Sequence, residues 1–341
     1  MIQGHGDDGY RYEDIRINFS SNIYAHADLS GLKAHLASRL DLVGRYPEPE
    51  PYSLERLIAE RRGIPAECVL VTNGATEAIY LIAQMLSSQG ISHYSIPQPT
   101  FSEYEDACRM FGMMPGEGGA QWLCCPNNPT GQASLITHHS SLITHHSSLI
   151  THHSSLITHH SSLITILDQS YEDFCLQPLM SPAEAVARGN VIQIHSLTKT
   201  YAVPGLRIGY IVSAAATVDR IRSFVRPWSV NALAIEAGRW LITNGTKAVP
   251  DVAAYLAEAQ RLNYALNRIP HFRALPTDTH FMLVRCNLLT AAELKDRLAR
   301  QYGILIRDAS NFPGLDAHHF RIAAQRPDEN DRLLAALREI K

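Results

Sequence analysis

Lys199 closes a run of apolar and β-branched residues in the segment His195-Ser-Leu-Thr-Lys-Thr-Tyr-Ala-Val-Pro-Gly-Leu-Arg-Ile-Gly-Tyr210. The run from Val191 to His195 reads as a buried strand, so the lysine amine emerges at a strand end among Ser196, Thr198 and Arg207. An aldehyde cofactor captured as a Schiff base needs one such amine, and its phosphate needs hydroxyls and a guanidinium close by. A lone lysine after a strand is ordinarily a surface residue. Here the neighbours turn it toward chemistry, and lysine is scarce: five (Lys33, Lys199, Lys247, Lys295, Lys341) stand against twenty-five arginines. Arginine suits paired contacts to carboxylate and phosphate, whereas a lysine amine can lose its proton and act as a nucleophile.

Three further segments carry groups of the right kind. Val71-Thr-Asn-Gly-Ala-Thr-Glu77 reads as a strand turning through Gly74 into a helix whose first amides, at Ala75 and Thr76, are free to cradle an anion. Taken alone, such a turn is more often a tight connection. Pro126-Asn-Asn-Pro-Thr-Gly131 follows an apolar strand, and Asp168-Gln-Ser-Tyr171 ends another. A strand-end aspartate can hold a pyridinium nitrogen protonated, which makes the ring an electron sink, while Asn128 and Tyr171 can hydrogen-bond a ring hydroxyl. Separately, the first of these is also a plausible β-turn and Asp168 a helix cap. Together at strand ends of one domain they point to a shared site.

The elements that must position these groups follow from periodicity. Strands are expected at Val69 to Thr72, Ser92 to Ile96, Gln121 to Cys125, Leu163 to Leu167, Val191 to His195 and Arg207 to Val212, with a helix from Thr76 to Leu86. That alternation predicts an α/β fold with a mostly parallel sheet and crossover helices over residues 45–230. Beyond Asn231 the pattern changes to long helices (Ala232 to Thr243, Asp251 to Arg268, Ala291 to Tyr302) with strands at Phe281 to Val284 and Phe320 to Ala323. Residues 231–341 therefore read as a smaller α+β domain, joined by the N-terminal segment 1–44. Residues 134–165 repeat the heptad Ser-Leu-Ile-Thr-His-His-Ser four times, then add Ser-Leu-Ile-Thr, and hold eight of the 17 histidines. Paired histidines invite a metal reading. A tandem expansion of a surface connection accounts for them more simply, with the middle copies exposed or mobile, the last copy running as a strand into Asp168, and no metal site assigned.

In this order, the segments Asn73-Gly-Ala-Thr-Glu77, Pro99-Thr-Phe101, Pro126 to Gly131, Asp168-x-x-Tyr171, Ser196-x-x-Lys199 and Arg207 resemble the fold-type I pyridoxal-phosphate enzymes, the aspartate-aminotransferase-like fold. They are similar to the branch that holds histidinol-phosphate aminotransferases and threonine-phosphate decarboxylases. Gly4-His5-Gly6, Asn18 to Asn22, Arg45-Tyr46-Pro47, Pro227 to Leu233, Ile304 to Arg307 and Asn311 to Asp316 resemble the decarboxylases in particular. The resemblance implies pyridoxal 5'-phosphate as cofactor, Lys199 as its Schiff-base lysine, Asp168 against the pyridine nitrogen and Phe101 stacked on the ring. It implies Gly74, Ala75, Thr76, Ser196 and Arg207 at the phosphate, Tyr46 reaching that phosphate from the other subunit of a homodimer, and Asn128 and Tyr171 beside the ring. For the substrate it implies Arg321 on the α-carboxylate and Arg307 on the phosphate with His5 and Asn22. The implied reaction is decarboxylation of L-threonine O-3-phosphate to (R)-1-amino-2-propanol O-2-phosphate, with a histidinol-phosphate-type transamination as the alternative. A catalytically silent scaffold bearing the histidine repeat is a second alternative, against which the retained lysine, aspartate and arginines argue. The chain departs from these relatives at Asp7, Tyr24-Ala25 and Gln169, where they commonly carry glycine, Asn-Pro and an acid.

Composition narrows the partners. In 341 residues, 45% are apolar and 18% charged, and 30 Lys plus Arg against 33 Asp plus Glu leave a net charge of −3. That balance gives no basic stripe for nucleic acid, and no apolar run is long enough to span a membrane. Six cysteines without a CxxC pair read as reduced, buried thiols, and with no charged-then-apolar leader at Met1 the chain is expected in the cytoplasm.

Overall fold

The central strands are buried on both faces and so read as nearly continuous apolar runs, interrupted by the buried Gln193 and His195. The computed structural model describes residues 7–133, 163–245 and 247–340. In chain order its strands are β1 (Ile17–Asn18), β2 (Val69–Thr72), β3 (His93–Ser95), β4 (Met114–Pro115), β5 (Ala120–Cys124), β6 (Ile164–Asp168) and β7 (Val191–Ser196). There follow β8 (Gly209–Val212), β9 (Phe272–Ala274), β10 (Phe281–Cys286), β11 (Ile304–Leu305), β12 (Arg307–Asp308) and β13 (His319–Ala323). The helices are α1 (Ser30–Ala37), α2 (Tyr52–Arg62), α3 (Gly74–Ser88), α4 (Glu103–Met110), α5 (Pro182–Arg188), α6 (Leu197–Thr200) and α7 (Ala215–Arg222). The last four are α8 (Ala232–Asn244), α9 (Val252–Leu266), α10 (Ala291–Tyr302) and α11 (Pro327–Glu339).

Seven strands form the large sheet in the order β2-β8-β7-β6-β5-β3-β4, parallel throughout except that β8 runs antiparallel to both neighbours. Side chains alternate between its two faces. Leu70, Ile166, Ile192, Ile194 and Ile211 pack against α3, α4 and α7, whereas Val69, Val71, Tyr210 and Val212 pack against α2 and α8. A smaller antiparallel sheet, β12-β13-β10-β9, carries α9, α10 and α11 on one core that also takes in Ile17 and Phe19. Strand β1 pairs in parallel with β11, Ile17 opposite Ile304.

The structure differs from the sequence reading in three places. The sequence pattern groups α8 with the C-terminal part, residues 231–341, yet Ala234, Ile235, Ala237 and Leu241 bury against Leu54, Val71 and Val212 of the large sheet's layer. Its apolar face matched a helix in either part, and only packing decided. Strand β8 starts at Gly209 rather than Arg207, because Arg207 takes a left-handed backbone (φ +58) after the Pro204–Leu206 turn. Of the six free thiols, Cys124 and Cys175 are half-buried rather than buried. The final repeat copy does enter the sheet, as Ile164 and Thr165 of β6, while the middle copies and their histidines lie outside the described residues.

One polar network is built into the large sheet's second face. Glu172 accepts from Arg62 of α2 and lies 3.0 Å from His195 Nδ1 of β7, and Arg62 Nε donates to Tyr210 Oη of β8 at 2.9 Å. Burial opposes ionisation of Glu172, but His195 and Arg62 outweigh it and hold the carboxyl down at about 2. A depressed acid stabilises the fold fully above its unfolded pKa of about 4.3 and loses that contribution as pH falls through its folded value. Glu172→Gln is therefore expected to lower Tm at pH 6, with the gap to the parent protein shrinking between about pH 4 and pH 2. A gap that stays constant over that range, in thermal melts followed by circular dichroism, would refute the assignment.

Candidate active site

The strand ends of the large sheet and the β12–β13 pair meet at a cavity of about 350 Å³. Asn22, Ala75, Thr76, Phe101, Asn128, Asp168, Tyr171, Ser196, Lys199, Arg207, Arg307 and Arg321 all line it. Gly74 borders it through Arg207. Tyr46 lies elsewhere on this chain, 84% exposed and beside Trp228. His5 falls outside the described residues.

Lys199 sits on the one-turn helix α6 directly after β7. Among the described residues no hydrogen bond or ion pair holds its amine. Burial, with Arg321 and then Arg207 adding repulsion, brings its pKa down to about 8, against the pull of Asp7 and Asp168. At neutral pH a useful fraction is uncharged, which a nucleophilic amine requires.

At one end of the cavity Arg207 lies against the start of α3. Gly74 has φ +80, and a Cβ added there would come 2.6 Å from Arg207 Nη2, so only glycine lets the guanidinium settle beside the helix start. Ala75 and Thr76 amides, the Ser196 hydroxyl and Arg207 thus converge, the arrangement an anion prefers. Asp168 ends β6, held by Tyr104 Oη donating to Oδ2 at 2.7 Å and Ser170 N–H donating to Oδ1 at 2.8 Å. Phe101 and Asn128 come from two loops tied together: Thr100 donates to Asn127 Oδ1 at 2.7 Å, and Asn127 Nδ2 donates to the Pro99 carbonyl at 3.0 Å. Tyr171 accepts from Asn22 Nδ2 at 3.1 Å, and burial raises its phenol to about 12.

The opposite end is cationic. Arg307 and Arg321 face each other in register across β12 and β13. Arg321 donates to Asn128 Oδ1 and to the Ser20 carbonyl, and its buried Nε has no partner. Arg307 donates to the Asp308 carbonyl and to Asn311 Oδ1 at 2.8 Å. Burial lowers both guanidiniums to about 10, which leaves them charged at neutral pH. The lining carries four cationic side chains (Lys199, Arg207, Arg307, Arg321) against two carboxylates (Asp7, Asp168), so the cavity favours anions.

Sequence reasoning missed several lining groups, among them Tyr104, Ser170, Ser20, Phe312 and Asp7. Tyr104 stands three residues after Phe101 and is recognisable only once α4 is known to pack over β5 and β6. Asp7 was noted as a departure from relatives but not as a cavity residue.

A buried lysine amine and a strand-end carboxylate lining one cavity with the start of α3, on a seven-stranded mixed sheet, together with the family match below, define a fold-type I pyridoxal-phosphate enzyme. The aminotransferase class I and II family matches residues 14–116 and 119–337, and the chain belongs to it. Threonine-phosphate decarboxylase of Salmonella typhimurium is 31% identical over 350 residues, 96% of this chain and 92% of that protein. The crystal structure of L-threonine-O-3-phosphate decarboxylase from Porphyromonas gingivalis superposes with a TM-score of 0.84 at 36% identity, covering 94% of this chain and 98% of that one. Histidinol-phosphate aminotransferase 2 of Archaeoglobus fulgidus is 26% identical over 95% of this chain and 93% of its own. Pyridoxal 5'-phosphate is the cofactor, and the residues present fit it: a turn at Gly74 where a Cβ would displace Arg207, a buried Asp168, and an amine at about 8 lining the same cavity. Among the described residues no helix is long and apolar enough to cross a membrane, and no group of three or more His, Cys, Asp or Glu side chains could hold a metal ion.

Gly74→Ala should raise the dissociation constant for pyridoxal phosphate at least about ten-fold, since it both strains the backbone and displaces Arg207, worth about 1.5–3 kcal/mol for a charged contact. Titration of the apoprotein followed by absorbance checks this. We propose Lys199 as the amine that captures the cofactor aldehyde; it must be neutral to do so, and the rate of capture should climb from pH 7 and level off above about pH 9, given its value of about 8. A pH-independent rate in stopped-flow absorbance would contradict it.

Proposed function

We propose that the protein decarboxylates L-threonine O-3-phosphate to (R)-1-amino-2-propanol O-2-phosphate. The observation that carries this reading is the pair Arg307 and Arg321, in register on neighbouring strands, buried, and facing a cavity rich in positive charge. Two adjacent guanidiniums call for a compact ligand with two anionic groups, and a phosphorylated amino acid has a phosphate and a carboxylate a few bonds apart. Histidinol phosphate has only the phosphate, and the 2-oxoglutarate of a transamination has two carboxylates but no phosphate. The similarity to threonine-phosphate decarboxylases over nearly the whole chain supports the same choice.

When bound, pyridoxal phosphate supplies an aldehyde for the substrate amine and a ring that accepts the electron pair of whichever Cα bond stands perpendicular to it. Asp168 holds the ring nitrogen's proton, and Tyr104 and the Ser170 amide keep that carboxylate oriented. Ala75, Thr76, Ser196 and Arg207 hold the cofactor's phosphate, with Gly74 giving the guanidinium room. Arg321 takes the α-carboxylate and Arg307 the phosphate, aided by Asn22, so the two anchored ends decide which Cα bond is presented. Lys199 would be the amine that holds the aldehyde, and with its pKa brought down to about 8 it could carry a proton for the substrate's Cα. In this reading the enzyme is a homodimer, in which the exposed Tyr46 completes a neighbour's phosphate site. A cytoplasmic setting accords with six cysteines that all remain free thiols.

Purified enzyme loaded with cofactor is expected to release CO2 from threonine phosphate and to form the amino alcohol phosphate, read by product chromatography. Failure to do so, with efficient glutamate formation from histidinol phosphate and 2-oxoglutarate measured in the reverse or forward coupled assay, would replace decarboxylation by transamination. Arg307→Ala should lower kcat/KM for threonine phosphate by about 10–100-fold, the worth of one charged hydrogen-bonded contact, while leaving turnover of unphosphorylated threonine unchanged.

A further inference from the structure

Two carboxylates line the cavity among the described residues, and their surroundings differ. Asp168 is buried at the end of β6 with both oxygens bonded, one by Tyr104 and one by the Ser170 amide. Asp7 enters from the N-terminal segment and is exposed. Its N–H donates to Ser20 Oγ at 3.0 Å, and the Ser20 carbonyl accepts from Arg321 Nη2 at 2.7 Å. Asp7 therefore reaches the cavity beside the arginine assigned to the α-carboxylate. Asn18 Nδ2 donates to Asp7 Oδ1 at 2.5 Å, while Oδ2 has no hydrogen bond among the described residues. The next residue anchors the segment, since Asp8 is buried and pairs with Lys295 of α10 at 2.5 Å. Asp7 itself takes a left-handed backbone (φ +63), a conformation that Asp and Asn tolerate better than most residues. Of the two acids, Asp7 also pulls more strongly on the Lys199 proton, so its charge is felt where the amine reacts.

A phosphorylated amino acid carries two anionic groups and one cationic group. With Asp168, Arg207 and Lys199 given to the cofactor, the cavity offers the opposite set in Arg307, Arg321 and Asp7. We infer that Asp7 is a substrate ligand that takes the ammonium group of the incoming amino acid, and so selects amine-bearing phosphorylated acids over the same acids without the amine. An acid that lacks the ammonium meets Asp7 as a like charge, and repulsion of the wrong ligand adds to attraction of the right one. The inference rests on the substrate class proposed above, but it concerns binding, so it does not depend on which Cα bond breaks.

The test compares the cofactor-loaded parent protein with Asp7→Asn, using threonine phosphate and its amine-lacking counterpart, (R)-3-phosphooxybutanoate. Affinity for threonine phosphate is read from the early change in visible absorbance by stopped flow, and affinity for the counterpart by calorimetry. Asp7→Asn should weaken threonine phosphate about three- to ten-fold, less than a fully buried charged contact because Asp7 is exposed. It should tighten the counterpart about two- to five-fold, because a like charge is removed. Asp7→Gly accepts the same backbone and carries the same test if the asparagine variant does not fold. A merely structural role would move both ligands in one direction, and that result would overturn the inference, as would unchanged affinities or a parent protein that binds the counterpart as tightly as threonine phosphate. Binding of threonine phosphate with the expected Asp7 dependence but no release of CO2 would remove the proposed reaction and keep this contact.

Discussion

The site depends on keeping a lysine amine out of water among other cations. Burial strips hydration from the ammonium form of Lys199, and Arg321 and Arg207 repel it further, so the amine is neutral far more often than a surface lysine. The nearby carboxylates of Asp7 and Asp168 limit the effect. A cavity arranged this way is electrostatically unfinished: four cations outnumber two acids, and negatively charged ligands complete it. The same imbalance that lowers the amine's pKa therefore favours anionic ligands in this cavity.

The two ends of the cavity present positive charge by different means. At the α3 end, backbone amides and one guanidinium act together, and the absence of a Cβ at Gly74 is what allows their approach. At the other end, strand pairing places Arg307 opposite Arg321, and neither has a carboxylate for a partner among its hydrogen bonds. Asn128 and Ser20 orient Arg321 without neutralising it. Neutral partners thus hold the geometry while the charge stays available for a ligand.

The two sheets meet tightly at this point. A Cβ at Gly131 would come 2.4 Å from the Phe281 carbonyl, so the loop after β5 sits directly on the smaller sheet and carries Asn128 to Arg321. Tyr171 makes a second bridge, its ring packed on Phe281 at 4.8 Å and its hydroxyl bonded by Asn22. Behind it His280 is fully buried among Phe174, Tyr255 and Phe281, and burial takes its imidazole down to about 3, so it packs as a neutral ring. Aromatic packing joins the halves, together with hydrogen bonds from Arg321 to Asn128 and from Ala133 and Gln177 to Asp278.

The strands and the motif residues at their ends were legible in the sequence because both obey local rules. A buried parallel strand is a continuous apolar run, and the residue that follows it emerges at the sheet's edge, so Lys199, Asp168 and the Gly74 turn could be placed without coordinates. The roles of Arg307 and Tyr46 came only through family resemblance. What tertiary structure alone decided is everything that depends on residues far apart in the chain: the register that sets Arg307 against Arg321, the packing of α8 on the large sheet, and Tyr104 on Asp168. Local patterning encodes which face of an element is apolar, but it carries no information about which distant face will cover it, and burial, charge repulsion and unpaired hydrogen-bonding groups exist only after that choice is made.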